Sequence, residues 1–386
     1  GFLTPESRMM IRRDVRERVS ELAGFLSWET DPYLVLTPAG RMVWMIDAYT
    51  TSDAHPYAAR VRLAGTGRAN YVRNSVKATV DAYDGTVHLY VFDEEDPIIQ
   101  AYTKLFPNLL EKASAMPAEL REHARYPEMM FRVQAEMYRT FHMRDAEAFY
   151  NKEDAWDIAR YLGVDGKPEM SSPTYVVATL PGETTPEFLL MMPFTPRNKD
   201  NLIGFMAARC DGERLGELLF LQLSKQELVF GPLQIEARIN QDQNISKDLS
   251  LWNQQGSRVL RGQMLVLPVD NTFLYIEPIY IQASEARMPQ LKKVVIATGN
   301  SLIYSDTYEQ ALAELATMSP QAPVPKEPAP SISAGAPPAP AVVDPESGRR
   351  LDQIRRHLQR YRELSGQGKF VEAAKELEAL EAAVKR

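Results

Sequence analysis

The chain has 386 residues, enough for two to three domains and a sizeable buried core. Its 51 acidic residues outnumber 44 basic ones, and the formal charge of −7 excludes the basic face that nucleic-acid binding needs. A single cysteine, Cys210, excludes an internal disulfide and a cysteine-rich zinc site, and no window reaches the ~18 apolar residues of a spanning helix.

In chain order, Thr4-Pro5-Glu6 opens an amphipathic pattern in which Met10, Val15, Val19 and Leu22 recur among arginines and glutamates. It predicts a helix within 4–26, with Thr4 as N-cap and Pro5 in the first turn. The arginines Arg8, Arg12, Arg13, Arg16 and Arg18 suit a solvated face paired with Glu6, Asp14 and Glu17, or a headgroup surface. Strands are expected at Tyr33–Thr37 and Met42–Ala48, separated by the Pro38-Ala39-Gly40 turn, and a loop from Thr50 to Ala69.

Asn70–Pro107 carries the densest local signals. Two β-branched and aromatic runs, Tyr71–Tyr83 and Thr86–Phe92, flank Asp84-Gly85, the pattern of a hairpin closed by a type I′ turn. Asp93-Glu94-Glu95-Asp96 closes the second strand, and Pro97 at the first helical position starts a helix through Ile98, Ile99 and Tyr102. The helical pattern extends to Leu162 and is best over Pro127–Phe141, where Met130, Val133, Met137 and Phe141 share a face as core filler.

From Ser171 the period becomes two, with strands expected at Tyr175–Leu180, Phe188–Met192, Leu202–Arg209 and Glu217–Leu223. Cys210, at the end of one of these runs, is expected to be buried and inert. Gly231–Leu251 is a polar interruption that starts helical at Pro232. Strands resume at Val259–Val269, Thr272–Gln282, Lys292–Thr298 and Leu302–Tyr304, the last two joined by a tight turn at Gly299-Asn300-Ser301. Short connections favour antiparallel pairing. The expected fold class is α+β: mainly antiparallel sheets with a helical segment between two strand-rich halves, residues 1–170 and 171–318.

Residues 319–345 differ in kind, with nine prolines between Pro320 and Pro345, and are expected to form a disordered linker. Residues 346–386 follow a helical hairpin pattern. Leu351, Ile354, Leu358 and Tyr361 lie before the Ser365–Gly368 break, and Phe370, Ala373, Leu377, Leu380 and Val384 after it. A lone hairpin of this sort cannot bury its apolar face, so self-association or docking to a protein partner is expected there.

Nucleotide and hydrolase motifs are missing, including G-x-G-x-x-G, the Walker loop, G-x-S-x-G and H-E-x-x-H, so no cofactor is expected. The five histidines show no metal-ligand spacing, and His88, His123 and His142 read as structural. Two polar clusters remain. One is acidic, Asp81 and Asp84 at the hairpin turn with Asp93 and Asp96 at the far end of its second strand. Oxygen ligands of this kind suit a hard cation, while turn and N-cap chemistry explains the same residues without one. The other is Arg238, Asn240 and Asp242 in a Gln/Asn-rich segment, which belongs at an interface or in a polar pocket.

Several segments carry a family resemblance. NYVRNSVKATVDAYDGTVHLYV from Asn70 is joined by Asp31-Pro32-Tyr33-Leu34-Val35, Asp47-Ala48-Tyr49-Thr50, Arg125-Tyr126-Pro127-Glu128 and Phe149 to Asp154. Leu180-Pro181-Gly182-Glu183, Pro193 to Pro196, Gly231 to Ile239 and Tyr275 to Tyr280 continue the set. In this order the chain resembles uncharacterised protein family 0182, bacterial multi-pass membrane proteins of unknown function, over about residues 7–318. His55-Pro56-Tyr57 departs from the expected Tyr-Pro-Tyr, which argues against His55 as a family ligand. The resemblance implies the water-soluble, extracytoplasmic part of a bacterial cell-membrane protein, tethered by N-terminal helices outside this sequence, and it carries over no catalytic residue. The expected role is a binding or assembly module. The alternative is an envelope enzyme, metal-assisted or not, with its polar site near Asp81 and Asp84 or near Arg238 and Asp242.

Overall fold

The structure is a computed structural model. It describes residues 4–318 except positions 8, 10, 64–66, 164–165, 225, 227, 255, 270–271 and 284–287, together with Arg360 and Lys375, both helical. The elements up to residue 318 belong to one compact unit, residues 1–319. The linker expected over 319–345 and the hairpin expected over 346–386 lie outside the described residues, those two positions apart.

The N-terminal part is built on a six-stranded sheet. Helix α1 (Val15–Leu22) precedes β1 (Ser27–Trp28), β2 (Tyr33–Leu36) and the long β3 (Met42–Ser52). A small hairpin of β4 (Val61–Leu63) and β5 (Gly67–Ala69) leads into β6 (Tyr71–Asp81) and β7 (Val87–Val91). Helix α2 (Pro97–Leu105) then crosses to β8 (Leu110–Lys112). The spatial order is β1-β3-β6-β7-β8, with β2 also on β3, and β3 and β6 pair antiparallel from Val43↔Asp81 to Ser52↔Tyr71. Both faces are covered. Ile46, Ala48, Val76, Ala78 and Leu89 pack with Val15, Val19 and Ile99, while Val43, Met45 and Tyr90 pack with Met116, Leu120 and Ala124. Two-sided burial explains why these strands read as apolar runs rather than as strict alternation.

Helices α3 (Ala118–Arg121), α4 (Glu128–Phe141) and α5 (Ala146–Asn151) follow, then short strands β9 (Trp156–Ile158), β10 (Arg160–Leu162) and β11 (Pro168–Met170). A second sheet contains β12 (Thr174–Ala178), β13 (Glu187–Pro196), β15 (Gly204–Arg209) and β16 (Leu218–Gln222), with β9 also on β13. The two-residue strands β14 (Asn201–Leu202) and β17 (Val229–Phe230) pair with each other. After helices α6 (Pro232–Gln241) and α7 (Gln243–Trp252) comes a third sheet of β18 (Ser257–Arg261), β20 (Thr272–Ala283), β21 (Pro289–Thr298) and β22 (Ser301–Ser305). Its β19 (Leu265–Val269) pairs with β20, and α8 (Tyr308–Thr317) packs on the outer face through Ala311 and Leu315. Leu189, Met191 and Phe205 of the second sheet share one core with Tyr275, Ile279 and Val295 of the third and with Ile235 and Ile239 of α6. The other face of the second sheet, at Leu190, Phe194 and Met206, packs Phe131 and Ala135 of α4. The α+β class expected from the sequence holds.

Four local expectations are corrected. The first helix starts at Val15 with Asp14 as N-cap, its carboxylate accepting from the Glu17 amide, because Arg12 sits at positive φ (52°) and Met9 and Ile11 stay exposed and contribute no burial to an earlier turn. Thr4 instead closes a turn with Ser7. The Thr50–Ala69 segment contains the end of β3 and the β4–β5 hairpin. The helical reading of 97–162 missed β8, which pairs parallel to β7, and strands β9 and β10, because pairing across the sheet outweighs local propensity over three residues. Finally, the Asp84-Gly85 turn is not type I′. Only Gly85 has positive φ (74°), and the Asp81 carboxylate accepts the Tyr83 and Asp84 amides, winding the chain into a wider loop in which the Gly85 amide donates to the Asp81 carbonyl. The Gly299-Asn300 loop fits expectation, with positive φ at Gly299 and not at Asn300, the pattern of a type II′ turn.

Candidate functional site

The acidic hairpin residues are held by local contacts. Arg41 donates through Nε to Asp81 Oδ2 at 2.6 Å and lies 3.4 Å from Asp84 Oδ2, and the Thr86 amide donates to Asp84 Oδ1 at 2.9 Å. Burial raises the Asp81 pKa, but the hydrogen bonds from Arg41 and two backbone amides outweigh it and hold the carboxyl below its ordinary value. At the other end of β7, Asp93 accepts from Arg73 Nε at 2.6 Å and from the Glu95 amide. Asp96 is fully buried and is the N-cap of α2. It accepts from the Ile98 amide, Tyr71 Oη (2.8 Å), Ser75 Oγ (2.6 Å) and Thr50 Oγ1 (2.5 Å). Burial raises this carboxyl too, and the four donors bring it below its ordinary value. The two ends of the strand do not converge on one ion. Among the described residues no group of three or more His, Cys, Asp or Glu side chains is placed to hold a metal.

Arg238, Asn240 and Asp242 point three ways. Arg238 donates to the Gly299 carbonyl at 2.8 Å and lies over the Phe230 ring. Asp242 caps α7, accepting from the Asn244 and Ile245 amides. Asn240 accepts from Arg261 Nη1 at 2.7 Å, and through it joins a buried cluster that the sequence reading missed. Arg261 grips Glu277 with two hydrogen bonds, and Glu277 is fully buried. Glu236, one turn before Asn240 on α6, is also fully buried. Its Oε2 accepts from the Leu162 amide at 2.6 Å, and its Oε1 has no hydrogen-bond partner among the described residues. Burial, then repulsion from Glu277, push the Glu236 pKa up to about 8 despite Arg261. Burial also raises Glu277, against its Arg261 partner. At neutral pH Glu236 holds a proton, and Glu277 is the carboxyl that Arg261 grips. A signal for both was present: Glu236 falls in the inward stripe Pro232, Ile235, Glu236, Ile239, and Glu277 interrupts the apolar strand Leu274–Ile279.

A cleft of about 450 Å³ lies along β6, the start of α4 and the Leu215-Gly216 turn, with Arg73, Asn74, Lys77, Arg125 and Gln134 among its walls. Lys77 is buried and donates to Asp47, to Asn74 Oδ1 and to the Arg125 carbonyl. Asn74 in turn donates to the Ala48 carbonyl. Gln134 accepts from the Tyr126 hydroxyl at 2.6 Å. Next to the cleft, Cys210 is buried as expected and accepts weakly from the Tyr126 amide. Burial pushes its thiol up to about 11, so it is inert at neutral pH. Of the histidines, His142 is bonded to the Tyr138 and Asp154 carbonyls and stacked on Trp156, while His88 pairs with Glu111.

A family model described as Uncharacterised protein family (UPF0182) matches residues 2–252. A UPF0182 protein of Solibacter usitatus is 66% identical over 386 residues, covering 100% of this chain and 42% of that protein. One of Methanospirillum hungatei is 48% identical over 315 residues, 81% of this chain and 35% of that protein. One of Desulforamulus reducens is 46% identical over 315 residues, 82% of this chain and 33% of that protein. The chain thus spans less than half the length of these relatives. No solved structure matches it. With a family match over most of its length and a 66% identical relative that shares its whole extent, the chain belongs to the uncharacterised protein family UPF0182.

Proposed function

We propose that the chain is an extracytoplasmic binding module of a larger membrane protein. The observation that carries this reading is the cleft, in which Lys77 is pinned by Asp47 and Arg73 by Asp93. Pinned charges suit recognition, whereas a general acid or base needs a proton it exchanges with a bound substrate. Glu236, whose carboxyl is pushed up to about 8, is sealed in the core and does not line this cleft. Placement outside the cytoplasm follows from the family resemblance, and the greater length of the relatives leaves room for a membrane part.

The test uses the complete protein in its own membrane, with any cysteine outside this chain replaced. Buried Cys210 gives no labelling background, so Ala101→Cys on the exposed side of α2 becomes the reactive thiol. A membrane-impermeant maleimide should label it in intact cells, and labelling only after lysis refutes the placement. Native mass spectrometry of the extracted protein should show a retained non-covalent adduct. A bare mass under the gentlest conditions counts against the binding reading.

A further inference from the structure

Arg125 is enclosed in an unusual way. Its guanidinium lies between two rings, 4.0 Å from the Tyr33 centroid and 4.4 Å from that of Tyr175. Both rings are fixed by their hydroxyls, Tyr33 donating to the His123 carbonyl at 3.0 Å and Tyr175 to the Tyr126 carbonyl at 2.7 Å. Stacking covers both faces of a guanidinium and leaves its in-plane N–H donors to seek acceptors. Among the described residues none of those donors makes a hydrogen bond. The nearest carboxylate is that of Asp31, 3.9 Å away and 80% exposed, whereas the Arg125 side chain is only 19% exposed. Arg209 and Arg261, similarly enclosed, are each gripped by carboxylates. A largely desolvated cation with unused donors is unfavourable unless an acceptor arrives.

The surroundings add donors, and the one carboxylate in the cleft wall among the described residues, Asp93, is held by Arg73. Arg125 lines the 450 Å³ cleft together with Arg73 and Gln134. The Gln134 oxygen is taken by the Tyr126 hydroxyl, and its amide nitrogen is unbonded among the described residues. The volume is within the range of small-molecule sites, roughly 300–1,000 Å³. We infer that Arg125 is the recognition group of a site for a small anion bearing a carboxylate or phosphate, with Gln134 and Arg73 as supporting donors. This deepens the binding-module reading and rests on it. The planar donor fork matches two oxygens of either group, and the tyrosine sandwich holds it in place before the ligand arrives, which lowers the ordering cost of binding. Asp31 is the loose counter-ion that the ligand displaces.

Calorimetric titration of the chain with inorganic phosphate, and separately with succinate, tests this at constant ionic strength against sodium chloride. Saturable binding of at least one probe is expected. Arg125→Lys keeps the charge and loses the fork, so binding should weaken at least tenfold, while Asp31→Ala should tighten it several-fold by removing the competing carboxylate. A merely structural Arg125 would lower the unfolding midpoint in Arg125→Lys and leave the titration of folded protein unchanged, which would overturn the inference. Asp31 is exposed, so its variant tests the site even where Arg125→Lys fails to fold, and a titration unchanged in Asp31→Ala also counts against it. Vesicles containing phosphatidylglycerol distinguish a lipid headgroup from a free anion as the source, because Arg125-dependent binding to vesicles but not to free phosphate assigns the headgroup. No response to phosphate, succinate or vesicles overturns the inference. A retained adduct in native mass spectra with no such response would leave the binding reading standing without the anion.

Discussion

Replacing Glu236 by glutamine should make the protein more stable at alkaline pH and leave it almost unchanged near pH 5. The side chain is fully buried on α6 against the Glu277–Arg261 pair, and the Leu162 amide donates to it. Its pKa is about 8 in the fold, against an ordinary 4.5. The folded state therefore holds a proton that the unfolded chain has lost between pH 4.5 and about 8, so the stability from this group is fully present below pH 4.5. It falls as pH rises through that window, by up to about 1.4 kcal/mol per pH unit, and is level above it. The full window sets a ceiling of about 5 kcal/mol, and rearrangement of the ionised side chain toward Arg261 brings the expected loss down to about 2–3 kcal/mol. Glutamine keeps the shape and an acceptor for the Leu162 amide but cannot ionise. Urea unfolding of both proteins at half-unit steps from pH 5 to 9 measures the difference and cancels every other titrating group. The expected gap opens with pH up to about 8 and then levels, in favour of Glu236→Gln. Parallel curves across the whole range would refute a protonated Glu236.

Gly85→Val should cost about 1–3 kcal/mol, since φ there is 74° and an added Cβ would meet the Arg18 guanidinium 2.7 Å away; an unchanged melting temperature would show that the loop closes without that conformation. Asp96→Ala removes an N-cap and strands the buried hydroxyls of Thr50 and Ser75, so about 3 kcal/mol is expected in denaturant titration rather than the ~1 kcal/mol of a simple cap. With all four of those donors on Asp96, calcium or a chelator should leave the wild-type melting temperature where it was, and a calcium-dependent rise would reopen the cation reading. Lys77→Met leaves Asp47 buried without its cation and should cost about 3–5 kcal/mol, most of it recovered when Asp47→Leu is added; additive losses in the double-mutant cycle would deny the pair.

The elements legible in the sequence are those whose cause is local. Pro97 and Pro232 start α2 and α6 because a residue without an N–H costs nothing at the first helical position. Asp96 was readable as a cap, and the apolar, β-branched runs of Thr272–Gln282 and Lys292–Thr298 as strands, because a core covers each of their two faces. The helix spacing of Pro127–Phe141 was equally clear, although the residues it buries deepest are Met129, Phe131 and Ala135 rather than Met130, Val133, Met137 and Phe141. Motif order alone also pointed to the family.

What the tertiary structure decided is every relation between residues distant in the chain. Leu110–Lys112 is a strand only because β7 offers it a parallel edge. Asp81 and Asp84 were grouped with Asp93 and Asp96 by nearness in sequence, yet a strand keeps the pairs apart and gives each its own arginine or hydroxyl partners. Arg238, Asn240 and Asp242 stand almost together in the chain, and the helix end turns them toward a β-loop, a buried arginine and the next helix. In the other direction, Tyr33 of β2, Arg125 of the α3–α4 loop and Tyr175 of β12 are far apart in the chain and meet only in the fold, as do Glu236 of α6 and Glu277 of β20. Local propensity acts over a turn of helix or a pair of strands, whereas the desolvation and pairing of a charge depend on what the folded chain brings within a few ångströms of it.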